Sequence, residues 1–179
     1  MRTITIGQFM SLDGVVEEPD KWHSSYVDDD LLGAMSAERI DTMLLGRVTY
    51  ESFAGAFGEL PDDHPAGAYM NRPEKIVVSR SLSTLSWRRS TLLPEGDVVE
   101  RVAELKEGDG GPIFMPGSIT LSQTLLRAGL VDRISLLVHP IVVGHGRRLF
   151  PESMAQVPFT LERCDVFGSG VTYQVYAVR

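Results

Sequence analysis

The sequence predicts an α/β fold, with one mostly parallel sheet covered by helices on both faces and an antiparallel hairpin at its C-terminal end. Short apolar runs such as Thr42-Met43-Leu44-Leu45, Lys75-Ile76-Val77-Val78-Ser79 and Pro112-Ile113-Phe114-Met115 read as strands buried on both faces. Segments with helical period separate several of these runs. The last section breaks the alternation. Phe159-Thr160-Leu161 and the run from Val171 to Val178 are strand-like, and Gly168-Ser169-Gly170 between them leaves little room for a helix.

Taken in order, residues 2–10 alternate as a first strand, which Ser11-Leu12-Asp13-Gly14 ends as a loop. A polar stretch with Pro19, Asp20, Trp22 and His23 is too irregular for a long element and long enough for a flap. Asp28-Asp29-Asp30 supplies capping side chains for a helix over 30–39, whose apolar positions are Leu31, Leu32, Met35 and Ile40. Gly46 ends the strand at 42–45, and a second helix is expected from Arg47 to about Phe57. Asp97 and Glu100 form a capping-box pair before Val98, Val99, Val102 and Leu105, in a helix ending near Gly108. Pro116-Gly117-Ser118 turns the chain into a helix over 119–128, bearing Leu121, Leu125 and Leu126. Arg133 to His139 returns as a strand.

The 179 residues suit a single domain spanning 1–179. No window approaches the roughly 20 apolar residues of a membrane span, and the alternating start lacks the apolar core of a signal peptide, so a cytoplasmic location is expected. Cys164 is the one cysteine, which excludes an intrachain disulfide and a cysteine zinc cluster. His64, His139 and His145 show no metal-ligand spacing, and no metal is expected. Seventeen basic against 24 acidic residues give a net charge of -7, which does not recruit a nucleic acid. A small phosphorylated ligand needs only a local pair of arginines.

Three loops follow strand ends: Gly46-Arg47-Val48-Thr49, Ser79-Arg80-Ser81-Leu82 and Pro116-Gly117-Ser118. In an open α/β sheet such loops gather along the carboxyl edge, where helix amino ends offer N–H groups to phosphate. Arg47 and Arg80 carry forked donors suited to a terminal phosphate, and Thr49, Ser79 and Ser118 carry hydroxyls. That set favours a dinucleotide with an extra ribose phosphate, although surface loops also hold Arg, Ser and Gly for no such reason. Neither a Gly-x-Gly-x-x-Gly fingerprint nor a P-loop is present.

These segments, together with Ser11-Leu12-Asp13-Gly14, Leu45 to Ser52, Ile76 to Arg80 and the run from Gly117 through Pro140 to Phe150, resemble the dihydrofolate reductase-like superfamily. The likeness is strongest to the reductase domain of bacterial riboflavin-biosynthesis deaminase-reductases. It implies a three-layer fold and an NADPH-dependent reductase, with Gly46, Arg47 and Thr49 near the adenosine-side phosphates and Ser79 and Arg80 near the extra ribose phosphate. The family's glycine pair beside the pyrophosphate is altered here to Gly117-Ser118, and the serine Cβ narrows the backbone approach. The folate-reducing branch has a buried carboxylate 16 residues before the glycine of its Gly-Arg-x-Thr segment, and that count lands on Asp30.

Hydride delivery to a C=N bond is eased by a proton on nitrogen, which a carboxyl with a raised pKa can supply. Asp30 and Asp13 are the candidates; the bland alternatives are helix capping for Asp30 and turn-holding for Asp13. Trp22 and His23 stand where a flap could close over a planar heterocycle, and Arg147 with Arg148 could meet a substrate phosphate or serve only a tight connection. Ribosylaminopyrimidine is the preferred acceptor class. A dihydrofolate reductase-like enzyme and a non-catalytic, dinucleotide-binding dimeric protein are the alternatives. No His-x-Glu with a following Pro-Cys-x-x-Cys appears, so a deaminase half is absent from this sequence. Tyr173, Val175 and Tyr176 on the terminal hairpin point to an apolar sheet edge and a homodimer.

Overall fold

A computed structural model describes every residue except Glu38. Eight strands form one sheet: β1 (Ile4–Ser11), β2 (Thr42–Gly46), β3 (Glu74–Val78), β4 (Ser90–Leu92), β5 (Ile113–Pro116), β6 (Arg133–His139), β7 (Phe159–Val166) and β8 (Thr172–Val178). Their order across the sheet is β4-β3-β2-β5-β1-β6-β8-β7. The pairings from β4 to β6 are parallel, and β8 runs antiparallel to both β6 and β7. Among the described residues five α-helices accompany them: α1 (Asp29–Ala37), α2 (Arg47–Phe57), α3 (Pro65–Asn71), α4 (Val98–Glu107) and α5 (Ile119–Arg127). None is long and apolar enough to cross a membrane, among the described residues.

Strand alternation sorts the side chains into layers. Leu44 faces one side with Ile4, Ile6, Ile113 and Met115, and there α4 and α5 add Val102, Leu121 and Leu125. Met43 and Leu45 face the other side with Val77, Tyr50 and Met70 beneath α2 and α3. Farther along that second face, Leu31 of α1 meets Leu137, Val171 and Tyr173. The predicted three layers and C-terminal antiparallel strands are therefore present.

The chain moves from β1 outward to β2, β3 and β4, then returns to place β5 between β2 and β1. Glycine is required at one point of this insertion. The Phe114 ring lies across Gly7, and a Cβ on Gly7 would fall 2.2 Å from that ring.

The aspartate run caps α1 as expected, through Asp28, whose Oδ1 accepts from Leu31 N at 2.8 Å. Two expectations change. The short helix α3 and the three-residue strand β4 were not predicted: α3 has only seven residues, with Gly67 among them, too few to show a helical period, and β4 is polar. The hairpin edge is also not where Tyr173, Val175 and Tyr176 placed it. Strand β8 is interior, Tyr173 is buried, and the free edge is β7, where Leu161 and Val166 are 53% and 73% exposed.

Lys75 is fully buried at the start of β3. Its Nζ donates to Asn71 O at 2.8 Å and lies 4.5 Å from the centre of the Trp87 ring. The Asn71 side chain accepts from Trp87 Nε1 and donates to Phe57 O and Leu60 O. Burial first, then Arg89 and Arg88, push the ammonium down from 10.5 to about 8. The unfolded chain therefore holds this proton more tightly, and the Lys75 contribution to stability rises with pH between about 8 and 10.5. Thermal unfolding of wild type and Lys75→Met between pH 7.5 and 10 should show wild type gaining about 2 kcal/mol on the variant. A constant gap across that range would remove the buried-charge account.

Candidate active site

The carboxyl ends of β2, β5 and β1 are neighbours at one edge of the sheet, and the chain leaves β2 and β5 through helices whose amino ends face that edge. Gly46 is the N-cap of α2 and Ser118 the N-cap of α5; neither helix has a side-chain cap or an acidic residue in its first turn. By contrast Asp97 caps α4 through Val99 N and Glu100 N. The amino ends of α2 and α5 thus retain unsatisfied N–H groups and positive dipole ends beside each other.

Ser118 joins the two loops. Its Oγ accepts from Gly46 N at 2.7 Å and donates to Thr49 Oγ1 at 2.9 Å. It sits at φ 66°, a left-handed conformation that costs a non-glycine residue about 1 kcal/mol. Gly117 precedes it at φ 105°, with its N–H on Gly7 O at 3.2 Å. The sequence assigned the Ser118 hydroxyl to a ligand phosphate; the structure commits it to the loop-to-loop tie. The Ser79 hydroxyl is likewise used locally, accepting from Ser81 N and Leu82 N at the end of β3. Arg80 is exposed beside that turn, and Arg47 is half exposed in an ion pair with Glu51 at 2.8 Å. Since Val78 pairs with Gly46, the two arginines come from adjacent strand ends.

The other end of the edge is built on Asp13. Its carboxylate accepts from Ser11 Oγ at 2.7 Å and from Val143 N and Gly144 N at 3.0 Å each, with Arg148 at 3.7 Å. The Ser11 bond and these backbone bonds hold its pKa down to about 2. A group so acidic has no proton to donate at neutral pH, so Asp13 anchors the 143–148 segment instead of serving as a general acid. Arg148 Nε donates to Asp13 O, Arg147 N to Glu17 Oε2, and the Arg147 guanidinium to Thr120 Oγ1 at 2.8 Å. Arg147 thereby stays exposed near the start of α5.

Asp30 does not fulfil the sequence expectation either. It is exposed on the first turn of α1, and Leu31 is the residue that turns into the core. The 16-residue count matched spacing without matching helix phase.

Trp22 and His23 do lie over the sheet edge, and with them the structure gathers Phe9, Tyr26 and the fully buried His139. His139 was not read as a site residue. A histidine at the end of an otherwise apolar strand, just before Pro140, was the signal available in the sequence. A polar depression of about 330 Å3 at the opposite edge is lined by Arg2, Asp41, Arg72, Glu74 and Arg89, but Arg2 is committed to Gly111 O and Thr42 and Arg89 pairs with Glu74.

This architecture recurs in proteins of one fold class. A putative riboflavin biosynthesis protein from Shewanella sp. PV-4 superposes with TM-score 0.74 at 22% identity over 99% of both chains. A pyrimidine reductase-like protein from Corynebacterium diphtheriae gives 0.66 at 15% identity, over 99% of this chain and 92% of that one. Dihydrofolate reductase from Enterococcus faecalis, solved with NADP(H), gives 0.66 at 17% identity, over 99% and 96%. The fold is therefore dihydrofolate reductase-like. Residues 2–173 match the RibD C-terminal domain, and the chain belongs to that family, related to the reductase domain of riboflavin biosynthesis. It is 27% identical to the uncharacterized protein YyaP of Bacillus subtilis over 181 residues, covering 98% of this chain and 94% of that protein. It is 26% identical to the uncharacterized protein YwjB of the same organism, covering 95% and 94%.

Because Asp13 is held at about 2, its bonds add stability that is complete above its ordinary value of 3.8 and is lost as pH falls towards 2. Asp13→Asn should melt below wild type at neutral pH, and the difference should close between pH 4 and 2. A difference that persists undiminished at pH 2 would rule out the ionised anchor.

Proposed function

We propose that this chain is an NADPH-dependent reductase acting on a C=N bond of a planar nitrogen heterocycle or of its ribosylamino derivative, with a ribosylaminopyrimidine favoured over dihydrofolate. The observation that carries the reading is the pair of uncapped helix amino ends tied together by Ser118. A dinucleotide pyrophosphate supplies the negative charge and acceptor oxygens that these ends lack. Glycine at 46 keeps their approach open: a Cβ there would sit 3.0 Å from Ser118 Oγ. Gly46, Thr49, Gly117 and Ser118 would hold the pyrophosphate side, with Ser118 acting through its tie. Arg47 and Arg80 would meet the extra ribose phosphate, and Arg47 must first exchange Glu51 for it.

Bound NADPH supplies a hydride. The protein holds the acceptor beneath the Trp22 flap and leaves Arg147 exposed for an acceptor phosphate. With Asp13 ionised and Asp30 exposed, water supplies the proton to the acceptor nitrogen.

A second copy of the chain is the proposed partner. Leu161 and Val166 stand exposed on the eight-residue edge strand β7, whose outer backbone groups another β7 could pair.

NADPH fluorescence titration and NADPH oxidation with both acceptors test the enzyme reading. Turnover of the ribosylaminopyrimidine should exceed that of dihydrofolate, and failure to bind NADPH would end the proposal. Arg47→Ala should weaken NADPH relative to NADH by about 1 to 3 kcal/mol, whereas equal weakening of both would remove the phosphate contact. Sedimentation should show a dimer at micromolar concentration that a Leu161→Lys, Val166→Lys double variant converts to monomer. A concentration-independent wild-type monomer would exclude the β7 interface.

A further inference from the structure

We propose that His23 and His139 form a proton-operated latch that holds the flap, residues 15–27, over the carboxyl ends of β1 and β6. His23 is carried by the flap between two short 3-10 turns, Pro19–Lys21 and Ser24–Tyr26. Its ring stacks on Phe9 of β1, with centroids 4.7 Å apart and planes 22° apart. His139, at the last position of β6, is fully buried. Phe9, Trp22, His23 and Tyr26 surround it edge-on at 5.6, 5.3, 6.1 and 5.7 Å. Three of those four rings belong to the flap, so its closed position depends on a histidine at the centre of the cluster.

The hydrogen-bonding pattern gives His139 Nε2 and His23 Nδ1 no acceptor among the described residues for an added proton. His139 Nδ1 lies 2.8 Å from Leu137 O, which can only accept, so the proton is on Nδ1 and Nε2 is left as a bare acceptor. Nε2 of His139 and Nδ1 of His23 are buried and meet no hydrogen-bond partner among the described residues. Buried polar atoms without partners are rare and ask for a reason. Neutral rings tolerate the arrangement, but a proton on either would set a charge in a desolvated aromatic cluster, and a proton on both would put two cations with ring centres 6.1 Å apart.

The groups facing the pair do not reverse this. Burial is the largest influence on each ring and lowers both pKa values. Asp20, on the flap, favours the charged form of His23 without overcoming burial. On His139, the backbone of Leu137 and Met10 favours charge while His23 opposes it. Tyr26 brings its ring from the flap, and β1 contributes the apolar Phe9. Asp28 at the amino end of α1 is spent on Leu31 N and Ser169 N. Released into water, both imidazoles return towards their ordinary 6.5. The closed state therefore binds protons more weakly than the open one, and acid shifts the flap towards open as pH falls below about 6.5. The latch rests on this geometry alone, and control of acceptor access is its consequence under the reductase reading.

Hydrogen exchange of the full chain at pH 7.5 and 5.5, corrected for intrinsic exchange rates, tests the latch. Flap amides should lose protection at the lower pH by up to about tenfold for each histidine that closure keeps neutral, while β1 and β6 amides keep theirs. His23→Phe retains a ring on Phe9 and removes one titrating group, so its flap should lose protection several-fold less. Flap protection independent of pH in wild type, or an undiminished acid response in His23→Phe, would overturn the latch. NADPH titration of the same samples at pH 7.5 reports separately on the reductase reading, so either can fail while the other stands.

Discussion

Placing β5 between β2 and β1 is the constraint on which the candidate site depends. It sets the end of β5 beside the end of β2 and so brings two helix amino ends, each with unsatisfied N–H groups, within reach of one side chain. Ser118 bridges them, accepting from Gly46 N and donating to Thr49 Oγ1. The insertion itself demands the absence of a side chain at Gly7, across which the Phe114 ring lies. A core contact and a surface cradle are thus two results of one strand placement.

The same edge divides into a cationic half and a flap half. At the β3, β2 and β5 ends, the charges are helix dipoles and the guanidinium groups of Arg47 and Arg80. At the β1 and β6 ends, Asp13 fixes the 143–148 segment and aromatic rings enclose His139. A ligand spanning both halves would have an anionic part and a planar, apolar part, which is the shape of the chemistry proposed for this chain.

Much of the fold was legible because every strand but β4 and every helix but α3 carried its own periodicity. Leu44 and Met43 are both buried, as a strand covered on two faces requires, and the apolar spacing of Leu121, Leu125 and Leu126 marks α5 directly. Strand order was not legible, since nothing local to Tyr173 says that β8 lies between β6 and β7. The loops of the site were legible as strand ends, but the use of their hydroxyls was not: Ser118 and Ser79 look alike in sequence and bond to unrelated partners. Asp30 failed because a count of residues along a chain does not fix which side of a helix a residue occupies. His139 escaped notice because its partners come from β1 and the flap, far from it in sequence.

The flap is bounded by two aspartates that act across the chain, Asp13 reaching Val143 and Gly144, and Asp28 reaching Ser169. Both ends are therefore stapled to neighbouring loops, independently of what lies between them. Chain-closure entropy grows only with the logarithm of loop length, about 0.6 kcal/mol for a doubling. Residues could accordingly be added at the exposed Asp20 and Lys21 at small closure cost, without disturbing the sheet or the helix ends, as long as Trp22, His23 and Tyr26 keep their packing on His139. Such a segment can be re-tailored to a different acceptor while the rest of the molecule stays as it is.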